Sequence, residues 1–202
     1  MNELKENKKK GMSDSILDLV QSLSISLILC AIIYILVAMP NQVQGSSMEP
    51  TVHQGEIILT NKITNWLGDT EIGHKLGLNY SRGDIIVFRK PGLSDFIKRI
   101  IAEPGDKIEI SDGRVFINDT LLDESEYLPE GTRTEAGTFL RENKPLIVPE
   151  GSFFVMGDNR NNSQDSRFYE VGFVKKEWIR GEVVIRYWPP LTIFKHPKYN
   201  LF

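Results

Sequence analysis

The sequence has 202 residues but only one cysteine and three histidines, and its net charge is −3. Each scarcity excludes something. With Cys30 alone there is no intramolecular disulfide and no cysteine metal cluster. His53, His74 and His196 stand far apart, and neither H-E-x-x-H nor the nucleophile-elbow pattern G-x-S-x-G occurs, so a zinc hydrolase and a conventional histidine-based triad are both poorly supported. No metal or cofactor is expected. The slight acidic excess offers no broad basic footprint, so no nucleic-acid partner is expected either. There is no internal repeat, and no low-complexity segment beyond a lysine-rich start. At 41% hydrophobic and 25% charged residues the chain has globular composition, and its length suits one ordinary domain plus an appendage.

The appendage is N-terminal. From Leu19 to Met39 no charged residue occurs, and Ile, Leu and Val dominate. At about 1.5 Å rise per residue such a helix spans a hydrocarbon core of roughly 30 Å. Lys5, Lys8, Lys9 and Lys10 precede it, and no Lys or Arg follows until Lys62. That asymmetry directs the N-terminus to the cytoplasm and everything from Pro40 onward across the membrane. A cleaved secretory signal has a shorter apolar region, of about 7–15 residues, and a small residue at its cut site. Here the segment is longer and Val37-Ala38-Met39 ends in a poor residue for cleavage. A lipoprotein signal is disfavoured because Cys30 follows Leu29 in mid-segment. The expected layout is a cytoplasmic tail at 1–15, a transmembrane anchor at 16–39 and an extracytoplasmic domain at 40–202, single-pass in the plasma membrane.

Beyond Pro40, short β-branched and aromatic runs alternate with turn residues: Glu56–Thr60, Asp84–Phe88, Phe96–Ile101, Lys107–Ile110, Val115–Ile117, Phe153–Met156 and Glu182–Tyr187. Asp112-Gly113 between two such runs is a hairpin signal, because a tight turn there needs positive φ. The expected fold is mainly β: one extracytoplasmic domain of curved antiparallel sheets behind a single N-terminal transmembrane helix. Residues 119–145, polar with Pro and Gly, read as a surface excursion. Residues 61–80 carry no clear period.

Candidate chemistry centres on a lysine. In Phe96-Ile97-Lys98-Arg99-Ile100-Ile101, strand alternation sets Phe96, Lys98 and Ile100 on one face and Arg99 on the other. An ammonium between Phe and Ile is costly to bury, and the usual response is a lowered pKa, which would make Lys98 a base. An edge strand bearing two solvated cations fits the same residues equally well. Gly157 to Arg167, a polar loop directly after an apolar strand, fits either a solvated turn or a set of mutually locked side chains supporting a site.

Taken in order, the anchor, Ser47-Met48-Glu49-Pro50-Thr51, Arg82-Gly83-Asp84 with Ile85–Phe88, Lys98-Arg99-Ile100-Ile101-Ala102-Glu103-Pro104-Gly105-Asp106 and Gly157–Arg167 resemble type I signal peptidase, in its short Gram-positive-like form. The resemblance covers nearly the whole chain. It implies a membrane-bound serine endopeptidase that removes signal peptides from exported preproteins after small-x-small motifs. It also implies Ser47 as nucleophile, with its backbone N–H in the oxyanion hole, and neutral Lys98 as general base. Ser163 matches the serine that orients the lysine, and Arg99, Asp158, Asp165 and Arg167 match charged positions that brace the site. Val43, Met48, Val52, Phe96 and Ile97 would wall the substrate pockets. Signal peptides, the lipid bilayer (with Trp66 as a contact) and the export translocon are the implied partners. One position departs: Gly45 stands where some members carry a serine whose hydroxyl is a second oxyanion donor. Two other functions fit parts of the pattern. A self-cleaving repressor relative with a similar dyad would need a DNA-binding N-terminus. A noncatalytic anchored β-domain would not need both Ser47 and Lys98.

Overall fold

In the computed structural model of the chain, the described residues are 2–36, 38–68, 70–76, 78–188 and 191–194. They fall into two compact units, Met1–Ala38 and Met39–Phe202. The first unit is essentially one helix, α1 (Asn2–Leu36). Its stretch Ser15–Tyr34 is long and apolar enough to cross a membrane, and its side chains are exposed all round. A helix that is apolar on every face and buried on none suits lipid better than water. The serines within it are accommodated locally: Ser24 Oγ donates to the carbonyl of Val20 at 2.8 Å.

The second unit is built of antiparallel strands. In chain order they are β1 (Ala38–Gln42), β2 (Ile57–Asn61), β3 (Ile85–Arg89), β4 (Asp95–Ala102), β5 (Lys107–Ser111) and β6 (Arg114–Ile117). There follow β7 (Thr120–Leu121), β8 (Leu146–Ile147), β9 (Ser152–Met156), β10 (Val174–Lys175), β11 (Ile179–Trp188) and β12 (Thr192–Ile193). The larger sheet runs β1-β2-β11-β3-β4-β9-β10, with β12 also on β11; the smaller runs β7-β6-β5-β8. Register shifts in β11 and between Ile100 and Ala102 of β4 bend the larger sheet, since a bulge sharpens local twist. This is the mainly β, antiparallel architecture expected from the alternating runs.

Alternation along the strands separates two cores on either side of the larger sheet. Ile86, Phe88, Ile100 and Val155 bury one way, with Phe96 against them. Ile85, Val87 and Val183 bury the other way, with Val43, Met48, Val52 and Ile58. A third core joins the sheets, packing Ile108, Ile110, Val115 and Ile117 against Ile101, Phe154 and Met156. The β5–β6 hairpin pairs Ser111 with Arg114 across a two-residue turn in which Asp112 and Gly113 have φ of 50° and 73°. Both values are positive, as a type I′ turn requires.

Two segments differ from the sequence reading. Residues 61–80 contain two helices of five residues each, α2 (Ile63–Leu67) and α3 (Glu71–Lys75). At that length a 3.6-residue period has no room to appear. Residues 119–145 are more than a surface excursion: Leu122, Tyr127, Thr134 and Leu140 are buried, and Leu122 and Leu140 belong to the core between the sheets. Single apolar anchors in irregular backbone leave no periodic trace.

Candidate active site

Ser47 lies in the turn between β1 and β2. Val43 N–H donates to the Glu56 carbonyl at 2.9 Å and Gly55 N–H to the Val43 carbonyl at 2.9 Å, closing the base of this loop. Met48 and Val52 are buried in the core below. Those two apolar pegs fix the turn and leave the Ser47 side chain directed at β4.

Lys98 sits where β4 outruns its neighbour. On the β9 side Arg99 pairs with Met156, the last residue of β9; on the β3 side Lys98 pairs with Ile86. The chain that leaves β9 at Gly157 passes close by, and a Cβ at that glycine would collide with Ser163 Oγ and the Ser47 carbonyl oxygen. Lys98 is only 2% exposed, so it does not lie on the solvated edge that the alternative reading required. Its Nζ is 2.7 Å from Ser47 Oγ and 2.9 Å from the carbonyl of Ile97, and lies 5.4 Å from the centre of the Phe96 ring. No carboxylate contacts it among the described residues. Burial pushes the Lys98 pKa down from 10.5 to about 8; Asp165 and Asp158 pull it back up from a distance, and Arg167 lowers it.

Arg99 is its opposite. Nε and Nη2 donate to the two oxygens of Asp158 at 2.9 and 2.6 Å, Nη1 donates to the Gly83 carbonyl at 2.8 Å, and the guanidinium lies 4.1 Å from the centre of the Tyr127 ring. Thr51 Oγ1 donates to the same Asp158 at 2.6 Å, tying the serine turn to the loop after β9. Further along that loop Arg167 grips Asp165 through Nε and Nη2 at 2.8 and 2.9 Å, and Asp165 accepts the Gly157 N–H at 3.0 Å. Bidentate pairs of this kind fix orientation as well as charge. Gly157–Arg167 is therefore locked rather than a solvated turn.

Ser163 is close to this centre but does not hold the amine. Its Oγ is buried without a hydrogen-bond partner among the described residues, and both bonds of Lys98 Nζ go elsewhere. The expected Ser163–Lys98 bond is absent because the amine turns toward Ser47 and the Ile97 carbonyl. The Ser47 N–H donates to no described residue. Gly45 has φ of 84° with open space where a Cβ would stand, so backbone conformation, not crowding, favours glycine there.

Several contributors went unassigned in the sequence. Asn159 N–H donates to the Ser47 carbonyl at 3.0 Å, its Nδ2 to the Ser46 carbonyl at 3.1 Å, and Asn162 Nδ2 to Ser46 Oγ at 2.9 Å. Arg160, buried, donates to Glu124 Oε1 and Oε2 at 2.5 and 3.0 Å and to Thr134 Oγ1 at 2.5 Å. Asn159, Arg160 and Asn162 belong to the polar loop whose motif pointed to the site. Glu124 and Thr134 had no local signal, since their partner is 36 and 26 residues away.

A groove of about 510 Å³ opens beside Ser47 and Lys98, walled by residues 41–45 and 94–97. Val43, Met48, Phe96 and Ile97 line it, whereas Val52 is fully buried beneath, in the core. Among the described residues no group of three or more His, Cys, Asp or Glu side chains is placed to hold a metal ion. A hydroxyl against a desolvated amine, at one end of an open groove bordered by strand backbone, is the layout of a hydrolytic site for extended polypeptide.

Comparison with known proteins defines the class. Residues 16–188 match the family described as signal peptidase, peptidase S26. The chain is 34% identical to a probable signal peptidase I-2 from Synechocystis, over 93% of this chain and 80% of that one. It is 33% identical to signal peptidase I P from Bacillus subtilis subsp. natto, over 95% and 99% of the two chains. A solved signal peptidase I from Enterococcus faecalis is 31% identical, with a TM-score of 0.42, covering 52% of this chain and 97% of that one. The chain belongs to the signal peptidase family, peptidase S26, and is thus an enzyme of the serine peptidase class.

Proposed function

We propose that this chain is a membrane-anchored endopeptidase that removes signal peptides from exported preproteins, with Ser47 as nucleophile and neutral Lys98 as general base. The observation that carries it is the 2.7 Å approach of Lys98 Nζ to Ser47 Oγ, by an amine that is buried and touches no carboxylate among the described residues. In the neutral state the Ser47 hydroxyl donates to the Nζ lone pair. The Ser47 proton passes to Nζ as Oγ attacks the scissile carbonyl. The Lys98 ammonium then gives that proton to the leaving amine as the C–N bond breaks, releasing the mature protein and leaving an ester on Ser47. Water, deprotonated by Lys98, hydrolyses the ester and restores both groups.

The Ser47 N–H, with no partner among the described residues, suits the oxyanion; Gly45 carries no hydroxyl for a second bond. Val43, Met48, Phe96 and Ile97 give the groove bulky apolar walls, which suits small side chains at the −1 and −3 positions of an extended substrate. Ser163 is assigned to hold the amine once substrate displaces it from its present bonds, since its buried hydroxyl has no other partner among the described residues. Asp158, Asp165, Arg99 and Arg167 act as positioning residues. The apolar helix after a lysine-rich start supports a cytoplasmic N-terminus and an extracytoplasmic catalytic unit, working at the lipid surface beside the export translocon.

The test is cleavage of a preprotein by purified protein in detergent. Ser47→Ala and Lys98→Ala should each abolish it while unfolding stays cooperative. Lys98→Arg should fail as well, because guanidinium keeps its proton near neutrality. Near-normal turnover by any of the three would overturn the assignment.

A further inference from the structure

We propose that the catalytic unit carries a docking site for anionic phospholipid headgroups, in the cavity bounded by Met39, Lys62, Lys175, Lys176 and Arg180. The proposal rests on the membrane-anchored reading above and adds to it the charge of the lipid and the residues that meet it.

The cavity, about 850 Å³, lies beyond the end of the substrate groove, with which it shares Asn41, Val87, Arg89 and Asp95. Five cations line it, the four named above and Arg89, against two carboxylates, Asp95 and Glu177. Asp95 is fully engaged by Arg89 at 2.6 and 2.7 Å, and Glu177 lies 3.6 Å from Lys175. By formal charge the lining carries three more cationic than anionic side chains, in a chain whose overall charge is −3. A cationic concavity on an acidic protein is a local device, not a by-product of composition.

An apolar prong stands beside it. Asn65 of α2 lines the cavity and donates to the Ile179 carbonyl of β11 at 3.0 Å, which fixes α2 against the cationic strand end. The neighbouring Trp66 and Leu67 are 65% and 37% exposed, and Ile72 and Leu76, in and just after α3, are 62% and 66% exposed. Large apolar side chains next to a lysine and arginine rim form the pattern of a surface that lies on a bilayer, the apolar groups among acyl chains and the cations at phosphate level. Exposed apolar side chains beside the cations favour phospholipid over a soluble phosphate as the occupant, since a free phosphate has no use for Trp66 or Leu67.

The experiment uses the full-length chain in phosphatidylcholine vesicles containing either brominated phosphatidylglycerol or brominated phosphatidylcholine at equal mole fraction. The readout is tryptophan quenching, with the Trp66→Phe variant subtracted to isolate Trp66. Quenching about twofold stronger with the anionic brominated lipid is expected at low salt, falling to parity near 1 M salt. The Lys175→Glu/Arg180→Glu double variant should lose the surplus while cleaving a soluble peptide in detergent at the wild-type rate. Equal quenching by both lipids, or an unchanged surplus in the double variant, would overturn the proposal. So would displacement by millimolar glycerol phosphate, which would make the ligand a free phosphate. Alkaline carbonate extraction separates the two readings: a chain that stays in the membrane yet shows no preference defeats this inference alone, and a chain that is extracted defeats the anchoring as well.

Discussion

On one face of β4, Lys98 makes two hydrogen bonds, to Ser47 Oγ and the Ile97 carbonyl, and meets no carboxylate among the described residues. On the other face, Arg99 has both oxygens of Asp158, the Gly83 carbonyl and the Tyr127 ring. The two cations are adjacent in sequence and almost equally buried, at 2% and 3% exposure. The contrast extends to the regions around them. The groove holds under-paired polar groups: an amine without a counter-charge, a buried Ser163 hydroxyl and a Ser47 N–H without partners among the described residues. The loop behind it, Asp158 to Arg167, is braced by paired arginines. A polar group whose bonds are unfilled is one whose proton can move, and a saturated neighbourhood is what keeps it in that costly state. Rigid pairing and, on the proposed mechanism, reactivity are divided between the two faces of one strand.

The contrast can be broken from either side. The largest effect belongs to the groove: Ser47→Ala or Lys98→Met should lower kcat by roughly 10⁴-fold or more in a preprotein cleavage assay, with no loss of stability. On the braced side, Asp158→Ala removes the carboxylate that the buried Arg99 grips, and about 3–5 kcal/mol should disappear in a denaturant titration. If instead that variant lost activity alone, Asp158 would belong with the reacting groups.

A third measurement sharpens the difference in charge state. On the proposed mechanism Lys98 acts as the neutral amine, so log(kcat/KM) should fall with unit slope as pH drops below about 8. Stability carries the same signature with a definite sign. Below about 8 Lys98 is protonated both folded and unfolded, and the full burial penalty applies. Between about 8 and 10.5 the unfolded chain binds the proton and the folded one does not, so stability rises with pH. The rise should total about 3 kcal/mol and vanish in Lys98→Met. A smaller effect tests the outer brace: Glu124→Gln should cost about 1–3 kcal/mol by weakening the buried Arg160 pair, and should lower kcat more than it raises KM if the loop positions Ser47. Smallest of all, Gly45→Ala should cost about 1 kcal/mol through its positive φ alone.

Much of the fold and site is legible in the sequence. The strands are readable because β-branched runs bounded by turn residues are a local signal, and the opposite facing of Lys98 and Arg99 comes from a period of two. The Asp112-Gly113 turn is equally local. Other features leave no such trace. Val52 has the composition of a pocket wall and is buried in the core, because only packing decides which apolar residues of a turn face inward. Ser163 carries the right hydroxyl in the right motif, yet the amine bonds elsewhere, a choice made by ångström-scale geometry. Glu124 and Thr134 sit in a polar stretch with nothing to distinguish them from solvated loop until Arg160 is brought against them.

The sequence by itself determined the apolar helix, the strand-rich character of the chain beyond Pro40, and the residue types available for chemistry: a serine, a lysine and no suitable histidine. Each of these depends on neighbours within a few positions. Tertiary structure decided which of those residues meet. Lys98 reaches Ser47 across 51 positions and Thr51 reaches Asp158 across 107, because sheet register and the end of β9 at Met156 bring those segments together. Only that closure withdraws Lys98 from water, and the loss of hydration is what lowers the pKa of its ammonium.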